Sequence, residues 1–216
     1  MSCGAQWGIG VSSGVFTGRD AGLLAPRRVM ALEVPVTFRF IPFSVGTRKG
    51  VLTLMAGPSF EQVSFHQDLV FHSTPQGTVI AVDDTLGRRY SKGLFGLGSS
   101  WHTTRITLPL KAMLVIGKQR RTAIGLGIEP RLLLGGKFRR AYRDAEGRSV
   151  VRDRFADDTP EHSVNWFDAR LSASIRRGPF ELFAAYSLAP LFVHDKGPDV
   201  RQAHLGAFFH FGAWPM

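Results

Sequence analysis

Hydrophobic and polar residues alternate along the chain with a period of two over unusually long stretches. Between residues 30 and 40 every second position is apolar, and the positions between them include Glu33 and Arg39. The same alternation runs through residues 102–116 and 165–175. Because successive side chains of a β-strand point to opposite faces, this pattern predicts strands with one apolar and one polar face.

Eight segments of the chain carry this strand pattern. They are predicted at residues 6–17, 28–41, 50–65, 101–116, 122–137, 164–176, 179–193 and 201–213. Most reach the roughly 9 to 11 residues that a tilted strand needs to cross a bilayer, whereas no stretch reaches the roughly 18 continuous apolar residues of a membrane-spanning helix. The connections alternate between short and long, as they do in outer-membrane barrels whose termini are both periplasmic.

Two closed folds fit this pattern: a soluble barrel with an apolar interior and a membrane barrel with a polar interior. The inner face of a tight barrel must be the smaller one, and Gly125 and Gly127 share a face with Glu129 and Arg131. The face with the small residues is therefore also the charged face, which predicts a polar interior and favours the membrane barrel. We predict a single all-β domain over residues 1–216, an eight-stranded antiparallel up-and-down transmembrane β-barrel spanning about 6–213, with long outer loops at about 66–100 and 138–163.

The polar faces of the predicted strands carry ionisable residues that would meet inside such a barrel. Buried charges are accommodated by pairing, so we expect these side chains to form an ion-pair network. The predicted lumen network consists of Glu33, Arg39, Arg105, Lys111, Glu129, Arg131, Asp168 and Arg170, with Glu181 as a further member. Side chains just fill the interior of an eight-stranded barrel, so no conducting pore is expected.

Prolines interrupt several of the predicted strands. Proline cannot donate to a ladder of hydrogen bonds, so we expect these positions to mark bulges or bends that help the sheet to curve. The prolines concerned are Pro35, Pro58, Pro109, Pro130 and Pro190.

Two of these strands share a motif in which proline is flanked by apolar residues. Glu33-Val34-Pro35-Val36 has an acidic residue before the motif, and Thr107-Leu108-Pro109-Leu110 has Thr in that place; a glycine-proline element follows the first at Ala56-Gly57-Pro58-Ser59. In these motifs the chain resembles the PorT-like family of small outer-membrane β-barrels over roughly residues 6–213. The resemblance implies a structural or accessory subunit of an envelope complex for transport or protein secretion.

The last predicted strand has the pattern polar-x-Gly-x-x-aromatic-x-aromatic. His204, Gly206, Phe209 and Phe211 supply it. The pattern is similar to the final-strand signal that the outer-membrane insertion machinery reads. It is also compatible with an ordinary strand whose outer face is apolar, and both interpretations can hold together.

Charge and cysteine content narrow the choice of partners. The net charge of +10 suits nucleic acid or an anionic membrane surface. Basic residues cluster at 88–92 and 137–154, where they could contact lipopolysaccharide phosphates or remain solvated, and no stacking aromatics accompany them as a nucleic-acid site would require. We therefore expect outer-membrane lipids, lipopolysaccharide and loop-bound proteins as partners. The single cysteine, Cys3, excludes an internal disulfide.

The candidate catalytic and metal-binding patterns are weak. Ser12 lies in a G-x-S-x-G string, but no helix pattern follows it as in hydrolases. His102 and His162 lie near outer strand ends, and the nearest approaches to an outer-rim lipid-modifying enzyme are His72-Ser73 and His162-Ser163. No metal-spaced histidine motif is present. We therefore expect a non-enzymatic barrel without cofactor or metal, with a lipid-modifying enzyme or a narrow solute channel as the alternatives.

Overall fold

A computed structural model describes residues 5–24, 26–45, 48–65, 69–74, 77–82, 98–116, 122–143, 149–155 and 164–211. Nearly all of the regular structure is β. The elements are β1 (Ala5–Thr17), α1 (Ala21–Leu24), β2 (Pro26–Glu33), β3 (Val36–Val45), β4 (Arg48–Phe65), β5 (Leu69–Thr74), β6 (Gly77–Val82), β7 (Gly98–Thr107), β8 (Leu110–Ile116), β9 (Thr122–Arg143), β10 (Ser149–Phe155), β11 (Phe167–Arg177), β12 (Phe180–Ser187) and β13 (Arg201–Phe211).

Antiparallel pairing closes these strands into a barrel of eight, which confirms the predicted fold. In order around the barrel the members are β1, β2 with β3, β4, β7 with β8, β9, β11, β12 and β13, and β13 pairs with β1 to complete the ring. Each of the eight predicted segments contributes one of these members. The boundary of the seventh differs, since β12 ends at Ser187 and not near residue 193.

Two barrel members are broken at a proline. Pro35 separates β2 from β3, and Pro109 separates β7 from β8. The carbonyl groups of these prolines still accept hydrogen bonds, from Gly8 N at 2.9 Å and from Met55 N at 2.8 Å respectively. Of the other three, Pro58 and Pro130 lie within β4 and β9, and Pro190 lies beyond the end of β12.

The two ends of the barrel differ in the length of their connections. Residues 46–47, 117–121 and 178–179 join neighbouring strands at one end, and residues 18–25, 66–97, 144–166 and 188–200 join them at the other, here called the long-connection end. Two of the predicted outer loops contain strands of their own: β5 and β6 form a hairpin, and β10 pairs with the part of β9 beyond the barrel. These regions are therefore partly ordered sheet.

The distribution of polar and apolar residues is inside out with respect to a soluble protein. Arg170 is completely buried inside the barrel, whereas Leu205 on the outer surface is 70% exposed. β12 shows the alternation in full, with Leu182 outside between Glu181 and Phe183 inside. A polar lumen and an apolar exterior are the arrangement of an outer-membrane barrel and the reverse of a lipocalin-like one.

Exposed aromatic side chains gather at both ends of the apolar surface. Trp166, Phe167 and Tyr186 lie towards the long-connection end, and Trp7, Phe180, Phe209 and Phe211 lie at the other. Aromatic girdles of this kind mark the two membrane–water interfaces of transmembrane barrels. Among the residues that the structure describes, no helix combines the length and apolar composition needed to cross a membrane.

Candidate functional site

The lumen holds a balanced set of buried charges. Because strand alternation directs every second side chain inward, each barrel member contributes polar residues to the same narrow space. Five basic and five acidic residues of the described chain are buried there: Arg105, Lys111, Arg131, Arg170, Arg176, Glu33, Glu61, Glu129, Asp168 and Glu181. The net charge of these ten is zero, so the +10 of the chain comes from residues elsewhere.

Arg170 is the centre of the first half of this network. Its Nη2 lies 2.8 Å from Glu33 Oε1 on β2 and 2.8 Å from Glu129 Oε2 on β9. Glu129 is also 3.7 Å from the ammonium group of Lys111. One guanidinium therefore links two carboxylates that belong to different sides of the barrel.

Lys111 extends the network towards the short-connection end. Its ammonium group donates to Glu181 Oε1 at 2.9 Å, and the other oxygen of Glu181 lies 2.9 Å from His210 Nε2. The same ammonium group is 5.6 Å from the ring centre of Phe183 and 5.3 Å from that of Phe208, within cation–π range. Charged and aromatic groups together fill this part of the lumen.

Arg131 is the centre of the second half. It forms ion pairs with Asp168 and, at 3.7 Å, with Glu61. Its guanidinium also donates to Ser187 Oγ at 3.1 Å and to Gln202 Oε1 at 3.5 Å. Because these partners come from β4, β11, β12 and β13, Arg131 ties four barrel members together.

Arg105 lies beside this second half and lines a small cavity. The residue is 2% exposed, and Asp168, Ser187 and Gln202 are among the other residues around the cavity. The volume of about 10 Å³ is room for about one water molecule. The lumen of the described chain is therefore closely packed beside Arg105.

The predicted lumen charges lie where the strand pattern places them, with two additions, Glu61 and Arg176. Glu33, Arg105, Lys111, Glu129, Arg131, Asp168, Arg170 and Glu181 are all buried. Arg39 lies in β3, and its side chain is outside the described residues. The predicted network does not include these two, although their signal is present in the sequence: Glu61 alternates with Thr53, Met55 and Ser59 along the inner face of β4. Arg176 continues the inner face of β11 after Ser172 and Ser174.

An apolar cluster closes the lumen at the long-connection end. Residues 188–200, beyond β12, fold into the mouth of the barrel, and Phe192 packs there against Trp101 with ring centres 5.8 Å apart. Asn165 holds this segment through its side-chain amide, which donates to Pro190 O at 2.7 Å and to Phe192 O at 3.0 Å. The buried members of the cluster, here called the apolar plug, are Phe16, Val29, Val63, Trp101, Leu191, Phe192 and Val200.

The residues of the predicted insertion signal lie on β13, between β12 and β1. His204 is buried in the lumen, Phe209 and Phe211 face outward, and Gly206 is half-buried. A Cβ on Gly206 would collide with the backbone of Val11, so close strand approach also explains the glycine.

Ser12 and His204 form a pair that is closed to substrates. Ser12 Oγ lies 3.4 Å from His204 Nδ1, but both residues are buried in the lumen. His72 and Ser73 lie in β5, where their side chains are outside the described part, as are His162 and Ser163 altogether. No group of three or more His, Cys, Asp or Glu within the described ranges could hold a metal ion.

A second serine–histidine pair lies on the outer surface. Ser100 Oγ and His102 Nε2 are 3.1 Å apart on β7, and both residues are half-buried. The strand pattern predicts His102 in a strand and Ser100 in the preceding loop, because the predicted strand begins at residue 101. The register of β7 with β4 begins at Ser100.

Comparison with known proteins finds similar solved structures but no matching family or curated sequence. No family model matches the chain, and no curated protein matches it. Among solved structures it is similar to Ail, the attachment invasion locus protein of Yersinia pestis, in complex with the heparin analogue sucrose octasulfate, with 12% identity and a TM-score of 0.39 over 98% of this chain and 100% of that one. A second crystal structure of Ail gives 14% identity and a TM-score of 0.37 over the same shares.

Proposed function

We propose that this protein is a closed outer-membrane barrel that acts as a structural or accessory subunit of an envelope complex for transport or secretion, with both termini in the periplasm. The observation that carries the proposal is the filled lumen. A barrel without a passage acts through its surfaces and connections, and such a role needs neither catalysis nor a cofactor.

Two successive layers oppose a solute channel. The apolar plug occupies the mouth of the barrel. Below it the ion pair of Arg170 with Glu33 crosses the lumen, and Arg131 of β9 reaches Glu61 of β4. Moving a solute past paired, desolvated charges would leave buried charges without partners, which costs several kcal/mol per ion. This favours an accessory barrel over a narrow channel.

The sheet edge formed by β10 supports docking of a protein partner. β10 lies at the end of the strand order and pairs with β9; within the described chain no strand covers its other side. Such an edge presents backbone N–H and C=O groups that a strand of another protein can complete. The long-connection end therefore has a suitable surface for a partner.

Lipopolysaccharide is the proposed lipid partner. Since the buried lumen charges cancel, the positive surplus lies outside them, and part of it is concentrated on β9 and β10. Arginine side chains suit the bidentate recognition of phosphate groups. The basic residues concerned are Lys137, Arg139, Arg140, Arg143, Arg152 and Arg154.

The test of docking is the replacement of residues 144–163, which include β10, by a short Gly-Ser linker. We expect proteins that co-purify with the intact barrel from a detergent extract to be lost. Removing the β5–β6 hairpin, residues 69–82, is the matched control and should retain them. Equal retention by both variants would contradict docking on β10, and conductance steps of the intact protein in a planar bilayer would contradict the closed barrel.

A further inference from the structure

Ser100 and His102 lie on the outward face of β7. Trp101 and Thr103, which alternate with them, are buried inside the barrel, so the serine hydroxyl and the imidazole point away from the lumen. Their separation of 3.1 Å is within hydrogen-bonding distance, the geometry by which a histidine activates a serine nucleophile.

The pair lies where β7 leaves the apolar surface. Ile106, four residues further along the same face, is an exposed apolar residue and lies in register with Leu132 and, through it, with Phe167 of the aromatic girdle. A strand rises about 3.3 Å per residue, so His102 lies about 13 Å and Ser100 about 20 Å along β7 from Ile106. The pair therefore lies beyond the aromatic girdle, on the side of the lipid headgroups.

Donor groups lie on both sides of the pair. Gln62 on β4 is directly opposite His102 and is exposed, and Lys137 on β9 is opposite His102 on the other side. Directly opposed residues have Cβ atoms about 5 Å apart. An amide and a cation therefore flank the imidazole, the types of group that stabilise a developing oxyanion or bind a phosphate.

We propose that Ser100 and His102 form a catalytic dyad that hydrolyses an acyl ester of a membrane lipid. Ser100 Oγ attacks the acyl carbonyl carbon while His102 Nε2 accepts the hydroxyl proton. The bond between that carbon and the lipid alcohol oxygen breaks, and His102 returns the proton to the leaving oxygen. Water then attacks the acyl-serine with His102 as the base, which releases a fatty acid and restores Ser100.

Accessibility favours this pair over the one in the lumen. Ser12 and His204 are both buried below the apolar plug, whereas Ser100 and His102 face outward on the headgroup side of the aromatic girdle, where membrane lipids arrive by lateral diffusion. The proposal goes beyond the accessory role and does not depend on partner docking, since its residues lie outside the segment removed in the docking test.

The experiment uses the full chain reconstituted in two kinds of vesicle, one of phosphatidylethanolamine alone and one that also contains lipopolysaccharide. Fatty acids released are identified by mass spectrometry, and a fluorophosphonate probe reports a nucleophilic serine. We expect release by the intact protein to fall at least about 100-fold in Ser100→Ala and in His102→Gln. Ser64→Ala is the matched control, because Ser64 lies directly opposite Ser100 on β4.

The possible outcomes distinguish phospholipid from lipopolysaccharide as the substrate and test whether the dyad is catalytic. Ester release from the first vesicles identifies phospholipid, and release of acyl chains from the second alone identifies lipopolysaccharide; either supports the proposal when Ser64→Ala is active and the probe labels Ser100. Release from neither vesicle, or equal loss in all three folded variants, overturns it. Ser100→Ala should still co-purify with the partner proteins of the intact barrel. Loss of lipid hydrolysis in this variant is therefore distinguishable from loss of docking.

Discussion

Glu33 and Arg170 are 137 residues apart in the sequence, yet Arg170 Nη2 donates to Glu33 Oε1 at 2.8 Å. They belong to β2 and β11, which are separated around the barrel by β12, β13 and β1. The bond therefore crosses the lumen and does not follow the sheet. It joins opposite walls of the barrel, where both residues are buried.

Removing Arg170 is expected to cost more stability than removing the charge of Glu33. Arg170→Met leaves Glu33 and one oxygen of Glu129 as buried carboxylates without their cation, so we expect the free energy of unfolding to fall by about 3–5 kcal/mol. Glu33→Gln removes one charged partner and keeps a hydrogen-bonding group, with an expected loss of about 1–3 kcal/mol. Urea unfolding in lipid vesicles, followed by tryptophan fluorescence, measures both.

The double variant Glu33→Gln with Arg170→Met serves as the control for this pair. Because the two residues contact each other, their effects should not add, and the double variant should lose less than the sum of the single losses. Additive losses would show that the two side chains do not interact in the membrane.

The outer surface allows a direct test of its contact with lipid. Leu205 lies near the middle of β13 and is 70% exposed. Leu205→Arg should lower the free energy of unfolding in vesicles by about 2–4 kcal/mol, the range for a cation near the bilayer midplane. Leu205→Ala, as the control, should lose less. An arginine without effect would indicate that β13 faces water.

The period-two pattern was sufficient to predict which side chains enter the lumen. It placed Glu129, Arg131 and Arg170 on inner faces correctly, because alternation within one strand is a local property. Which carboxylate meets which guanidinium depends on the stagger between strands around the closed barrel. The pairing of Arg170 with Glu33 across the lumen could therefore not be predicted from spacing along the chain.

The alternation pattern also does not reveal the apolar plug or the outer pair of Ser100 and His102, because both depend on contacts between distant parts of the chain. Leu188 and Phe192 have the parity of the apolar outer face of β12, so the pattern predicts a longer strand. Contacts with Trp101 and Val200 instead fold the segment into the lumen. Ser100 lies in the polar first residues of β7, which follow a glycine-rich run and resemble a loop in sequence. Tertiary contacts and strand pairing override local sequence at both places.

Gly10 is required by the ring of Phe208. A Cβ built on Gly10 would overlap that ring, so Gly10→Ala should destabilise the barrel by about 1–3 kcal/mol through overpacking. Adding Phe208→Leu should recover part of the loss. Gly135→Ala is the matched control in β9, because a Cβ there meets nothing within 4 Å. A Gly10→Ala barrel with unchanged unfolding would contradict the packing of Phe208 beneath β1.

Phe192 tests whether the plug and the charge network close the lumen independently. The ring is 1% exposed and contacts Trp101, so Phe192→Ala should lower the free energy of unfolding by about 3–5 kcal/mol. Phe180→Ala, on the outer surface, should cost less. Planar-bilayer recordings of Phe192→Ala should still show no conductance, because the ion pairs of Arg131 and Arg170 lie below the plug and span the barrel without it. Discrete openings in this variant, but not in the intact protein, would show that the plug alone seals the barrel and that its ordering controls a passage.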